Sequence, residues 1–223
     1  MKDTESLTGQ AYQYLKLEVL SGRIPAGSQV DAKAIGDVLG VSRTPVREAM
    51  LRLANEGVLE VNSRRGVRVL PLSVNDLRSI YQVITAIEVE AVFLLASCDT
   101  RDDSIAELEA ATSRMASAIT EEDGEKWNLA DESFHRALLR GSGNTHLAEA
   151  GNTYRDIAQR AHFVALRLVP LSQKARSADA HTDLIKKIAA GDAFNARELH
   201  RTQRDRGGEL LVTALRTLRL DQL

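Results

Sequence analysis

The feature that most constrains this chain is its change of character near Pro71-Leu72-Ser73. From about residue 74 to 218 the apolar residues recur at helical spacing, and no β-rich segment occurs. Six helices are expected, over about 74–98, 102–120, 123–140, 145–168, 172–190 and 192–218. They are divided by Thr100-Arg101-Asp102, Glu121-Glu122-Asp123-Gly124, Gly141-Ser142-Gly143-Asn144, Pro170 and Gly191-Asp192. Amphipathic helices joined by short breaks bury their stripes by packing against their neighbours, so residues 73–223 are expected to form an antiparallel all-helical bundle.

Residues 1–72 follow another pattern, short helices and then strands. Leu7, Ala11, Tyr14, Leu15 and Val19 sit near helical spacing, and Gly22 ends that helix. Ile24-Pro25-Ala26-Gly27 reads as a turn, and Asp31 as the N-cap of a short helix over 32–39 that stops at Gly40. A further helix starts between Ser42 and Pro45 and carries the stripe Val46, Ala49, Met50 and Leu53. Val58–Val61 and Val67–Leu70 then alternate like strands around Asn62-Ser63-Arg64-Arg65-Gly66, which makes a hairpin with a basic tip. The fold class expected is mainly α, an N-terminal winged helix-turn-helix over 1–72 followed by a six-helix bundle over 73–223.

Charge supports a nucleic-acid reading only through its distribution. The chain carries a net −2, but residues 1–72 hold ten Lys/Arg against eight Asp/Glu. Arg43, Arg47, Arg52, Arg64, Arg65 and Arg68 cluster there, and DNA binding needs a basic face rather than a basic average. The apolar stripe turns Arg43 and Arg47 outward at the start of the second motif helix, the end that enters a major groove. Arg can donate two hydrogen bonds to guanine, and the hydroxyls of Ser42 and Thr44 suit phosphate oxygens. A small helical domain with a solvated basic patch is the plainer alternative. One cysteine, Cys98, rules out an internal disulfide and fits a reducing cytoplasm. The N-terminus has no apolar core of a secretory signal, and no run of about 18 apolar residues predicts a membrane span.

In the later helices Asp131 and His135 are four apart and share a helix face, so a carboxylate oxygen and an imidazole nitrogen can meet one metal ion. His181 and His200 lie on following helices, and bundle interiors are where such sites assemble. An ordinary Asp–His pair with scattered histidines is the competing account. His162, beside Phe163, is expected in the core, and Trp127 as a packing residue. Paired Gly207-Gly208 marks a kink or a close approach in the last helix.

Gly40-Val41-Ser42-Arg43-Thr44-Pro45-Val46-Arg47-Glu48-Ala49, with Leu53, Glu56-Gly57, Pro25-Ala26-Gly27 and Arg65-Gly66, resembles the signature of the GntR family of bacterial regulators over residues 7–70. The resemblance implies DNA contacts from Ser42, Arg43, Thr44, Pro45, Arg47, Arg64, Arg65 and Gly66, with Lys33 where relatives often carry a phosphate-binding Arg. It also implies a homodimer on an inverted-repeat operator.

Residues 74–223 resemble the FadR-type C-terminal domain in its shorter six-helix form, through Ile87-Glu88, Asp131–Leu138, Gly143-Asn144, His181, Ile188-Ala189 and Gly191-Asp192. That likeness implies a divalent metal (zinc, nickel or manganese) held by Asp131, His135 and His181 beside a small-molecule effector such as an organic acid. The fourth family ligand, a histidine, falls on Gln203, with His200 one turn back. Relatives often carry an Arg where this chain has Ile84, so the pocket is expected to be less cationic unless Arg78, Arg155 or Arg160 supplies a charge.

The expected function is a sequence-specific, effector-controlled transcription regulator, a repressor, acting in the cytoplasm without a membrane partner. A metal-free sensor and a constitutive DNA-binding dimer are the alternatives. A metalloenzyme is remote, because Glu132 points about 100° away from Asp131 and no base is positioned.

Overall fold

The computed structural model describes residues 6–20, 22–62, 66–70, 74–167 and 169–217. Arg64 and Arg65 lie outside the described residues, as do Pro71-Leu72-Ser73 and the side chains of Arg160 and Phe163.

The first part is built from α1 (Leu7–Leu20), β1 (Gln29–Val30), α2 (Ala32–Leu39), α3 (Arg43–Asn55), β2 (Leu59–Asn62) and β3 (Gly66–Val69). Asp31 caps α2 by accepting from the Lys33 amide at 2.8 Å, and Gly40 closes it at φ 67°, a left-handed conformation that glycine adopts without strain. Gly36 is demanded by proximity, since a Cβ there would stand 2.7 Å from the Val41 carbonyl oxygen as the chain turns back under α2. The buried stripe of α3 is Val46, Ala49, Met50 and Leu53, which packs with Leu15, Val19, Leu59 and Val69 into one core. The hairpin pairs Leu59 with Val69 and Asn62 with Gly66. Its third strand, β1, has no signal in the sequence. With two residues it shows no periodicity, and it exists because Gln29 and Val30 pair antiparallel with Arg68 and Val67 on β3.

The second part is six helices, α4 (Val74–Ser97), α5 (Asp102–Thr120), α6 (Gly124–Gly141), α7 (Thr145–Arg167), α8 (Leu171–Ala189) and α9 (Ala193–Thr217). Asp123 caps α6 with its carboxylate on the amides of Glu125 and Lys126. α4 is the central helix, contacting α6, α7, α8 and α9, while α5 packs on α6 and α8. By length and composition α4 alone among the described helices is long and apolar enough to cross a membrane. Its apolar residues Leu77, Ile84, Val92 and Leu95 instead fill the bundle core with Leu108, Met115, Phe134 and Leu138. Gly208 brings α9 close to α4, because a Cβ there would touch the Tyr81 ring at 3.4 Å. The architecture is a winged helix-turn-helix followed by an all-helical bundle.

Candidate functional site

α6, α8 and α9 surround a cavity of about 460 Å³. α6 sets Trp127, Asp131 and His135 one turn apart, so all three face inward. α8 adds Lys174 and His181, and α9 adds His200, Gln203 and Arg204. The opposite wall is apolar, with Leu166, Val169 and Leu211.

Asp131 anchors the polar end. Its Oδ1 is 3.0 Å from His181 Nε2, and its Oδ2 is 3.9 Å from His135 Nε2. The His181 ring stacks on Phe134 with centroids 4.1 Å apart, which fixes its plane. One ligand atom from each of Asp131, His135 and His181 falls within 4.8 Å of the others, and all three residues are buried. Burial holds His135 near a pKa of about 3, with the Arg155 charge acting in the same direction, so the imidazole is neutral and has a lone pair to offer. Burial alone would raise Asp131, but the His181 hydrogen bond and the neighbouring imidazoles keep it below the usual carboxylate range.

Behind His135 stands Glu88, fully buried in the middle of α4. Its Oε2 lies 3.0 Å from His135 Nδ1, 3.1 Å from His200 Nε2 and 3.3 Å from Arg204 Nε. Only the His200 contact is a hydrogen bond; the His135 and Arg204 nitrogens are close but off axis. Glu88 Oε1 accepts from Arg155 Nη1, and Arg155 also grips Glu132 through Nε and Nη2 at 3.2 and 2.6 Å. Burial opposes ionisation of Glu88, yet the Arg204 and Arg155 guanidiniums outweigh it and hold the carboxyl well below its ordinary pKa.

The donor set fits a divalent ion at Asp131, His135 and His181: one carboxylate and two neutral imidazoles, with Glu88 behind His135 as an orienting carboxylate. A buried polar atom beside the triad supports this, for Gln203 Oε1 has no hydrogen-bond partner among the described residues. Gln203 is tethered at its other end, its Nε2 donating to the Ala180 carbonyl at 2.8 Å. His200 has only Nδ1 to offer, since its Nε2 is taken by Glu88. A second grouping, Glu88 with His135 and His200, has suitable spacing, but Arg155 and Arg204 crowd Glu88 with positive charge and disfavour a cation there.

Several of these residues escaped the sequence reading. Ile84 is core, and the cavity gains its buried cations from Arg204 and Lys174 instead. Arg204 is 7% exposed; its Nε stands beside Glu88 at 3.3 Å, and its Nη2 has no hydrogen-bond partner among the described residues. Arg155 is no solvated residue; it is buried and committed to two carboxylates. His162 lines the cavity rather than filling the core, 2.6 Å from the Tyr81 hydroxyl, and Trp127 lines it too while packed in the core. A signal for Glu88 existed: a carboxylate inside the apolar run of α4 has to find a buried cation. Arg204 follows His200 by four residues, which puts it on the same face.

At the other end, Lys33, Ser42, Arg43, Thr44 and Arg47 are exposed, Pro45 is half-buried, and Gly66 is exposed where β3 begins. Ser42 holds the N-cap position of α3 without a side-chain capping bond, and neither Arg43 nor Arg47 makes an ion pair among the described residues.

The FCD domain matches residues 79–203, and the gntR family of bacterial regulatory proteins matches residues 7–69. An uncharacterized HTH-type transcriptional regulator of Agrobacterium vitis is 35% identical over 131 residues, 58% of this chain and 77% of that protein. A probable D-xylose utilization operon transcriptional repressor of Paenarthrobacter nicotinovorans is 29% identical over 187 residues, 84% and 80% of the two chains. The fold of McbR/YncC from E. coli superposes with a TM-score of 0.81 at 22% identity, covering 93% of this chain and 98% of that one.

Proposed function

This chain belongs to the GntR family of bacterial regulatory proteins, with an FCD domain after its winged helix, and is a DNA-binding transcription regulator rather than an enzyme; from that premise we propose that it is a repressor controlled by a small anionic effector bound with a divalent metal. The observation that carries the effector reading is the buried triad Asp131, His135 and His181 opening into the same cavity as Arg204, whose buried Nη2 has no hydrogen-bond partner among the described residues. Asp131, His135 and His181 would hold the metal, with Gln203 Oε1 as a weaker amide fourth donor in preference to His200. The ion would supply a Lewis-acidic anchor for one effector oxygen. Arg204 would pair with the anionic group, while Trp127, Leu166 and Leu211 cover the apolar body of the ligand and exclude water.

Residues 1–72 serve as the DNA-binding module and 73–223 as the effector and dimerisation module, in a cytoplasmic homodimer. Arg43 and Arg47 reach base edges, while Lys33, Ser42, Thr44, Pro45 and the wing residues Arg64, Arg65 and Gly66 position the backbone. Relatives named as repressors of a D-xylose and a gluconate operon support the sign of regulation.

Two measurements test this reading. Selection from a random duplex pool should return an inverted repeat whose affinity falls steeply with salt, and Arg43→Ala or Arg47→Ala should weaken it by about 1–3 kcal/mol. Undetectable or salt-independent binding refutes the DNA reading. Chelator-stripped protein should gain about 2.7 kcal/mol with zinc, nickel or manganese at 100 times the dissociation constant. The thermal midpoint would rise by about 5–11 °C, less in His135→Ala and His181→Ala. No rise with any of the three metals refutes the metal and leaves Arg204 as anchor of a metal-free effector.

A further inference from the structure

An unbroken series of alternating charges runs from the cavity to the helix-turn-helix. Glu88 on α4 meets Arg155 on α7, and Arg155 Nη2 meets Glu132 of α6 at 2.6 Å. Glu132 Oε1 receives Arg136 Nε at 2.7 Å, and Arg136 Nη2 reaches Asp156 Oδ1 of α7 at 2.6 Å. Asp156 Oδ2 then takes Lys16 Nζ of α1 at 2.5 Å. Lys16 continues to Glu56, 3.2 Å away, and donates to the Tyr12 hydroxyl at 2.7 Å. Glu56 is the C-cap of α3, and the neighbouring Gly57 lies against Ile157 of α7. Glu88, Arg155 and Glu132 are buried, so water and salt do little to screen the cavity end of the series, while Arg136, Lys16 and Glu56 are partly exposed.

We infer that this series couples the state of the cavity to the seating of α1 and α3, with Asp156 as the joint. The inference rests on the reading of the cavity as the effector site. Each member divides itself between two partners, so strengthening one contact weakens the next. An anion that draws Arg204 away from Glu88 turns Glu88 more fully toward Arg155. Arg155 then releases Glu132 toward Arg136, Arg136 releases Asp156 toward Lys16, and Lys16 loosens from Glu56 at the end of α3. Two packings of one interface are what a cavity ligand needs to bias if it is to act at a distance. The arrangement also assigns work to Arg136 and Asp156, which line no part of the cavity and sit on the bundle side of the junction.

The test uses full-length protein without DNA, metal or effector. Glu88→Gln removes a charge at the cavity end; Arg155 turns to Glu132, Arg136 to Asp156, and Lys16 loses its hold on Asp156 of α7 while keeping Glu56. Hydrogen exchange of the α1 amides should then quicken about fivefold or more, the lower range of energetic coupling between sites. Asp156→Asn should give the same acceleration, and the double variant no more than either single one. Should Glu88→Gln fail to fold, Arg136→Gln on a half-buried side chain tests the same series with the opposite sign: it leaves Asp156 wholly to Lys16, so exchange of the α1 amides should slow rather than quicken. Unchanged α1 rates alongside faster exchange in α4, or single effects that multiply in the double variant, would overturn the coupling. Failure of the operator selection or of metal binding would show in those assays and leave the exchange result standing.

Discussion

Arg155→Met isolates the buried charge at the centre of the bundle. Methionine keeps most of the aliphatic stem of Arg155, which is 2% exposed, so packing is largely preserved while the guanidinium is lost. Glu88 and Glu132 each lose their closest cation. Removing one partner of a buried ion pair costs about 3–5 kcal/mol, because the remaining charge is desolvated and uncompensated. Here the lower end applies, since Glu132 keeps Arg136 at 2.7 Å and Glu88 keeps Arg204 at 3.3 Å. A loss of about 3 kcal/mol corresponds to a fall in thermal midpoint of about 6–12 °C for a cooperative unit of this size. Circular dichroism melts at pH 7.5 with a reversibility check would read it, and Glu88→Gln with Glu132→Gln in the Arg155→Met background should recover part of the loss. A midpoint within about 3 °C of wild type, roughly 1 kcal/mol, would refute the claim that Arg155 carries these two carboxylates.

Gln203→His should tighten zinc binding by about tenfold or more, because imidazole replaces an amide oxygen at a position already beside the triad; isothermal titration against His200→Ala, which should change zinc affinity little, separates the two candidates. Gly36→Ala should destabilise the helix-turn-helix by about 1–3 kcal/mol, since its Cβ meets the Val41 carbonyl and backbone cannot step aside as a side chain can; an unchanged melt would contradict the close approach. Burial holds His135 at a pKa of about 3 and His162 at about 4, with Arg155 reinforcing both. Below about pH 6.5 the unfolded chain therefore takes up protons that the folded chain refuses, so metal-free protein loses up to about 1.4 kcal/mol per pH unit for each residue as pH falls toward 4. A thermal midpoint flat from pH 7.5 to 5 would show that these imidazoles are not held neutral.

Much of this molecule could be read along the chain because the signals are local. Asp31, Gly40, Asp123 and Pro170 mark helix ends through their own backbone and capping chemistry. The stripe of α3 follows from a repeat of 3.6 residues, and its opposite face turns Arg43 and Arg47 to solvent. The same rule places Asp131 and His135 on one face of α6, and the family likeness adds His181. The electrostatic frame around them was not legible. Arg155 reaches Glu88 across 67 positions, His200 reaches the same carboxylate across 112, and Lys16 reaches Asp156 across 140. Helical periodicity says which residues share a face of one helix, but not how far that helix is rotated against its neighbours. That rotation is decided by the sum of apolar contacts over the whole bundle, and the two residues of β1 likewise become a strand only because β3 is there to pair with. The sequence alone determined the helices and their exposed and buried faces, whereas the pairing of buried charges and the junction at Asp156 belong to the tertiary structure, because only packing brings those faces together.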